Sequence, residues 1–205
     1  MSHISIITDL KEILVGGAAI VTASVAIFGL KTWNRELRGK ANFEVARGLI
    51  RATYKLRDDI ASCRSPLVTG QEFPADYYDP QEENSHEKKA LGWAHVYKNR
   101  WKPVWSSLQE FDAQTLEAEA LWGHEVKLKT DKLRHCVNTL NVSIEEVISD
   151  KASGGRNFES DRKFGIRMRN NTAAHGSDDN NSLSTQISDA ITGIEDLIRP
   201  HLERS

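Results

Sequence analysis

The chain has 205 residues, a formal charge of -2, 27% charged residues and two cysteines. It is too polar to cross a membrane many times and too poor in cysteine for a disulfide framework. Cys63 and Cys136 stand far apart and outside any zinc-ligand spacing, so one main folded unit in a reducing compartment is expected.

In chain order, the first feature is residues 13–30, an uncharged run of 18 residues. As a helix rising about 1.5 Å per residue it covers roughly 27 Å, close to the hydrocarbon thickness of a bilayer. Gly16, Gly17 and Gly29, with Thr22 and Ser24, weaken a helix in water but are common in membrane helices, whose backbone bonds are satisfied internally. A cleaved secretion signal needs a cationic start, whereas Asp9, Lys11 and Glu12 sum to -1 just before the run. A surface helix of a soluble domain shows a polar stripe at the 3.6 period, and "AAIVTASVAIFGL" has none. The reading is a transmembrane helix over 13–33, with Trp33 at the interface, after a short non-cytoplasmic amino terminus over 1–12. Lys31, Arg35, Arg38 and Lys40 follow the run while Lys11 alone precedes it, which puts 34–205 in the cytoplasm. The expected location is an inner (plasma) membrane, with the lipid bilayer as the first partner.

From residue 31 to 64, Leu37, Ala41, Val45, Leu49, Ala52, Leu56 and Ile60 recur at intervals of three and four, which predicts an amphipathic helix continuing the span. The same segment holds nine cations against four carboxylates. Anionic lipid headgroups would attract that excess, although the solvated face of a juxtamembrane helix accounts for it more simply. Pro66 ends the helix, and an acidic loop near 66–87 follows, carrying Glu72, Asp76, Asp79, Glu82, Glu83 and Glu87. The spacing does not fit a calcium loop, so these are read as solvated carboxylates.

A helical pattern returns at Ser85. Trp93, Tyr97, Trp101 and Trp105 fall four apart and form one ridge. Lys98, Arg100 and Lys102 invite a nucleic-acid reading, but the overall acidic charge favours core packing. Pro103 is expected to kink this helix or start a new one. Asp112 reads as the N-cap of a helix that passes Gly123, with Leu116, Ala120, Val126, Leu133, Val137 and Leu140 on its apolar side, and continues through Ile144, Val147 and Ile148 to a connection at Ser153, Gly154 and Gly155. The last helix runs from Ser182 to Arg199, with Leu183, Ile187, Ile191, Ile194, Leu197 and Ile198 inward and Pro200 as its stop. No alternating strand pattern occurs. The expected fold class is therefore all-α: a single N-terminal transmembrane helix continuing into a cytoplasmic helical bundle.

Chemistry concentrates in "GIRMRNNTAAHGSDD". Arg169-Asn170 followed by His175-Gly176 resembles the R-N-x-x-x-H signature of HEPN ribonucleases, which are small helical bundles. The resemblance implies RNA as substrate, His175 acting on the 2′-hydroxyl or leaving oxygen of the phosphodiester, Arg169 stabilising phosphate charge and Asn170 helping it. Gly176 with Asp178, Asp179, Asn180 and Asn181 is expected to place His175 in an open loop. His86, His95, His124, His135 and His201 share no ligand spacing, and no glycine-rich phosphate loop occurs, so no metal or cofactor is expected. The whole layout, with one amino-terminal span leading into "TWNRELRGKANFEVARGLIRATYKLRDDI", a tryptophan-bearing middle and a closing "IEDLIRPHLE", resembles uncharacterised bacterial single-pass inner-membrane proteins with a helical cytoplasmic domain. That resemblance implies location and architecture but no activity. The expected function is a membrane-anchored helical interaction or scaffold module, acting as a homo-oligomer or on a membrane-protein partner. The alternative is a membrane-tethered HEPN-like ribonuclease using Arg169 and His175.

Overall fold

The computed structural model describes residues 2–78, 85–173 and 182–202, and the side chains of 2–16, 18–20 and 23 lie outside that description. Among the described residues the protein is all-helical: α1 (Ser2–Cys63), α2 (His86–Trp122), α3 (Glu125–Ala152), α4 (Arg156–Ser160), α5 (Arg162–Thr172) and α6 (Ser182–Leu202), with a 3-10 turn at Gly70–Glu72. The chain divides into two compact units, 1–44 with 204–205, and 45–203.

In the first unit α1 carries Val21, Val25, Ile27, Phe28, Leu30 and Trp33, each between 57% and 70% exposed. Lys31, Arg35, Arg38 and Lys40 are exposed beside them. Leu37 and Ala41, expected on a buried face, are exposed as well, so burial along α1 begins later than the periodicity alone predicts. Among the described residues no helix is long and apolar enough to cross a membrane. Residues 13–16, 18–20 and 23 of the uncharged run contribute no described side chains.

In the second unit α1 turns Ala46, Leu49, Ala52, Leu56 and Ile60 inward at the three-and-four spacing of a buried helical face. They meet Val104, Phe111 and Ala118 of α2, Val126, Leu133, Val137 and Leu140 of α3, and Leu183, Ile187, Ile194 and Ile198 of α6 in one core. Each large side chain buried this way contributes about 1.5–3 kcal/mol of transfer free energy. α3 is the central element, lying against α2, α5 and α6.

Three boundaries differ from the sequence reading, and at Pro103 no new helix starts. α2 passes through Pro103 without ending. Pro103 and Asn99, whose carbonyl loses its helical donor there, both face solvent, so water can satisfy the broken bond. Asp112 is not an N-cap but lies inside α2, where its Oδ1 accepts from Arg134 Nε at 2.6 Å. The break comes instead at Gly123, whose φ of 81° is cheap only for glycine and whose N–H donates to Glu119 O. α6 likewise runs past Pro200 to Leu202, again with the proline exposed. Ser85 does cap α2, its Oγ accepting from Lys88 N at 3.1 Å. Of the aromatic ridge, Tyr97 is buried and Trp93 and Trp101 pack on the core, while Trp105 is 55% exposed.

Candidate functional site

The region around Arg169 is built by a tight turn. α3 closes with Gly154 and Gly155 at φ 70° and 92°, and Gly155 N donates to Asp150 O at 2.8 Å. The turn sends α4 back so that Phe158, with Val147, Met168 and Phe164, forms a small second core. Asp161 then caps α5, its Oδ1 accepting from Phe164 N at 3.0 Å. The sequence reading assigned no helix to either element.

Within this frame Asp150 is the organising residue, at 5% exposure. Its Oδ1 accepts from Phe158 N at 2.9 Å, and its Oδ2 takes Arg169 Nη2 at 3.2 Å. The Arg169 guanidinium also sits 5.2 Å over the Phe158 ring, yet 63% of its side chain stays exposed. Lys151 lies beside it, with Nζ 4.4 Å over the Trp93 ring. Burial, followed by the nearby Arg169 charge, lowers the Lys151 pKa, with Asp150 opposing. Arg169 thus pairs with the buried Asp150 carboxylate, while the Lys151 ammonium sits on the Trp93 ring near both charges.

The end of α5 is held from beneath by Arg64, only 3% exposed. Its Nε donates to Asn171 O at 2.8 Å, Nη2 to Asn170 O at 3.3 Å and Nη1 to Ser184 Oγ at 3.1 Å. A guanidinium at a helix C-terminus satisfies carbonyls that lack helical donors and complements the helix dipole. Burial pulls the Arg64 pKa down, which the neighbouring cysteines oppose. Asn171 is further tied by Nδ2 to Ser143 Oγ at 2.9 Å. Arg169 and Asn170 are therefore neighbours on the last turn of α5, positioned by Asp150 and Arg64. His175 lies outside the described residues.

Sequence reasoning missed both positioning residues. Asp150 is one aspartate among many in a helix, and Arg64 was counted with the juxtamembrane cations although it is buried in the bundle. The acidic loop also divides. Glu72 is not simply solvated: Arg100 Nε donates to its Oε2 at 2.6 Å while Arg100 Nη1 and Nη2 hold Ser65 O and Leu67 O. Asp79, Glu82 and Glu83 lie outside the described residues. Among the described residues no group of three His, Cys, Asp or Glu side chains is placed to hold a metal ion. Comparison with protein-family models, curated proteins and solved structures finds no match for this chain.

Proposed function

We propose that this protein is a membrane-anchored helical module whose amino-terminal helix lies in an inner (plasma) membrane and whose bundle engages a partner on the cytoplasmic side. The observation that carries the reading is the exposed apolar stretch of α1. At 100° per residue, Val21, Val25, Ile27, Phe28, Leu30 and Trp33 fall around the whole helix with no gap wider than about 100°, and each is more than half exposed. A docked protein helix covers only an apolar stripe, whereas lipid covers a helix all round. The uncharged run ends in Lys31, Arg35, Arg38 and Lys40, the flank that remains on the cytoplasmic side. Tethering to a surface raises the effective concentration of the bundle for a membrane-bound partner or a second copy.

Alkaline carbonate extraction of membranes tests the anchor. The full chain is expected in the pellet, and a chain lacking residues 13–30 in the supernatant. Full-length protein released by carbonate would overturn the reading. A reporter fused after Ser205 that is active only outside the cytoplasm would overturn the orientation.

A second reading, a membrane-tethered HEPN-like ribonuclease, is favoured by one observation: Arg169 is oriented by a buried carboxylate while most of its side chain stays open to solvent. Under this reading Arg169 meets the phosphate and His175 moves the proton. It expects RNA cleavage by the full chain in detergent that disappears in His175→Ala, and equal inactivity of the two would overturn it.

A further inference from the structure

We infer that the exposed face of α5 binds the phosphate backbone of a nucleic acid. Residues 150–173 carry six cations, Lys151, Arg156, Arg162, Lys163, Arg167 and Arg169, against three carboxylates, Asp150, Glu159 and Asp161. The net charge of -2 for the whole chain conceals this local excess. Two of the three carboxylates are engaged within the fold, Asp150 on Phe158 N and Arg169, and Asp161 on Phe164 N. Among the described residues no carboxylate lies within ion-pair distance of Arg162, Lys163 or Arg167.

The helix separates these charges cleanly. At 100° per residue Arg162, Lys163, Ile166, Arg167, Arg169 and Asn170 occupy one side, all exposed, and Gly165, Met168, Asn171 and Thr172 occupy the buried side. α5 contains no acidic residue. Arg167 lies 5.5 Å over Phe164 and Arg169 5.2 Å over Phe158, so two guanidiniums are held against rings rather than free to sweep solvent. Holding a planar guanidinium in place reduces the entropy lost when it binds a phosphate.

The composition of the face selects the occupant. Protein interfaces centre on buried aromatic or aliphatic anchors, and membrane-surface helices pair their cations with a continuous apolar side. Here the only large exposed hydrophobic residue of α5 is Ile166. A surface of cations with so little apolar area matches the more polar and more positive interfaces that nucleic acids use. The inference concerns binding alone; it requires neither the anchor nor catalysis.

The test is binding of a 5′-labelled oligonucleotide of about 20 nucleotides, as single-stranded RNA and as DNA, to the full chain in neutral detergent across a salt series. Binding should weaken steeply with salt. Replacing Arg162, Lys163 and Arg167 together by Gln should weaken it at least about 10-fold at low salt and reduce the log–log salt slope by about 2, since each single-strand phosphate contact contributes about 0.7. Binding of both polymers would indicate backbone recognition, and binding of RNA alone would add contact with the 2′-hydroxyl. Because a triple variant can perturb the fold, Arg162→Lys with Arg167→Lys, which keeps the charge, should retain most of the binding. The inference is overturned if wild-type protein binds neither polymer, if it binds only phosphatidylserine vesicles, or if the triple variant binds as wild type. It is also overturned if neutralising Lys127, Lys129 and Lys132, exposed or half-buried cations of α3, has the same effect.

Discussion

Arg64 shows how one buried cation fixes two elements. From a position 3% exposed it reaches carbonyls at the end of α5 and a hydroxyl at the start of α6. Arg64→Met would strand two carbonyl oxygens, and a loss of about 3 kcal/mol is expected in urea denaturation, given about 1–3 kcal/mol for each buried acceptor left unpaired. Arg64→Lys should recover only part of that, because a single ammonium cannot reproduce the guanidinium fork. Glu72 provides the pH-dependent counterpart. The hydrogen bonds from Arg100, ahead of the opposing effect of burial, lower its pKa in the folded state. Its stabilising contribution is therefore complete above its ordinary value of 4.5 and is lost as pH falls through the lower folded value. The stability difference between wild type and Glu72→Gln should be greatest near neutral pH and shrink steadily below about pH 4.5. A difference that stayed constant to about pH 3 would show that Glu72 contributes nothing through its charge.

At the scale of the helices, glycine separates close packing from open space. Gly165 sits in α5 where an added Cβ would meet Phe158 Cβ at 2.6 Å and Cγ at 2.7 Å, both near the backbone of the second core. Gly165→Ala should therefore destabilise by about 1–3 kcal/mol through overpacking, despite alanine's intrinsic helix preference of about 1 kcal/mol. Gly193 in α6 meets only Lys129 Cδ at 3.8 Å, so Gly193→Ala should stabilise by about 0.5–1 kcal/mol. Thermal midpoints moving in opposite directions would establish the contrast. The same helices show what was legible in the sequence. The buried faces of the second half of α1 and of α6 follow from periodicity, and Ser85 announces the start of α2. Pro200 does not stop α6 and Pro103 starts no new helix, because a proline's cost depends on whether the orphaned carbonyl faces water, which sequence does not state. α4 and α5 were invisible for another reason: their apolar anchors, Phe158, Phe164 and Met168, belong to a small separate core, too sparse along the chain to set a period. Arg169 and Asn170 could be picked out as residue types, but their environment depends on Asp150, which reaches Arg169 across 19 residues, and on Arg64, which reaches Asn170 across 106.

For the molecule as a whole, the exposed apolar surface of α1 distinguishes water from lipid through a single substitution. Val21 is 62% exposed and stands in the middle of the uncharged run. If that helix were surrounded by water, Val21→Arg would change stability by no more than about 0.5 kcal/mol and would improve solubility, as exposed substitutions usually do. If lipid surrounds it, an arginine near the centre of the span costs about 2.5–3.5 kcal/mol of insertion free energy, roughly 100-fold in the partition between inserted and uninserted helix. The expected outcome is a large fall in the carbonate-resistant fraction of Val21→Arg. Arg38→Ala, beyond the run, should leave that fraction almost unchanged, since it removes one of several cations that follow the run and no apolar area. Equal membrane retention of Val21→Arg and wild type would mean that lipid does not cover this face, and the exposed valines, Phe28 and Leu30 would then require a protein partner in its place.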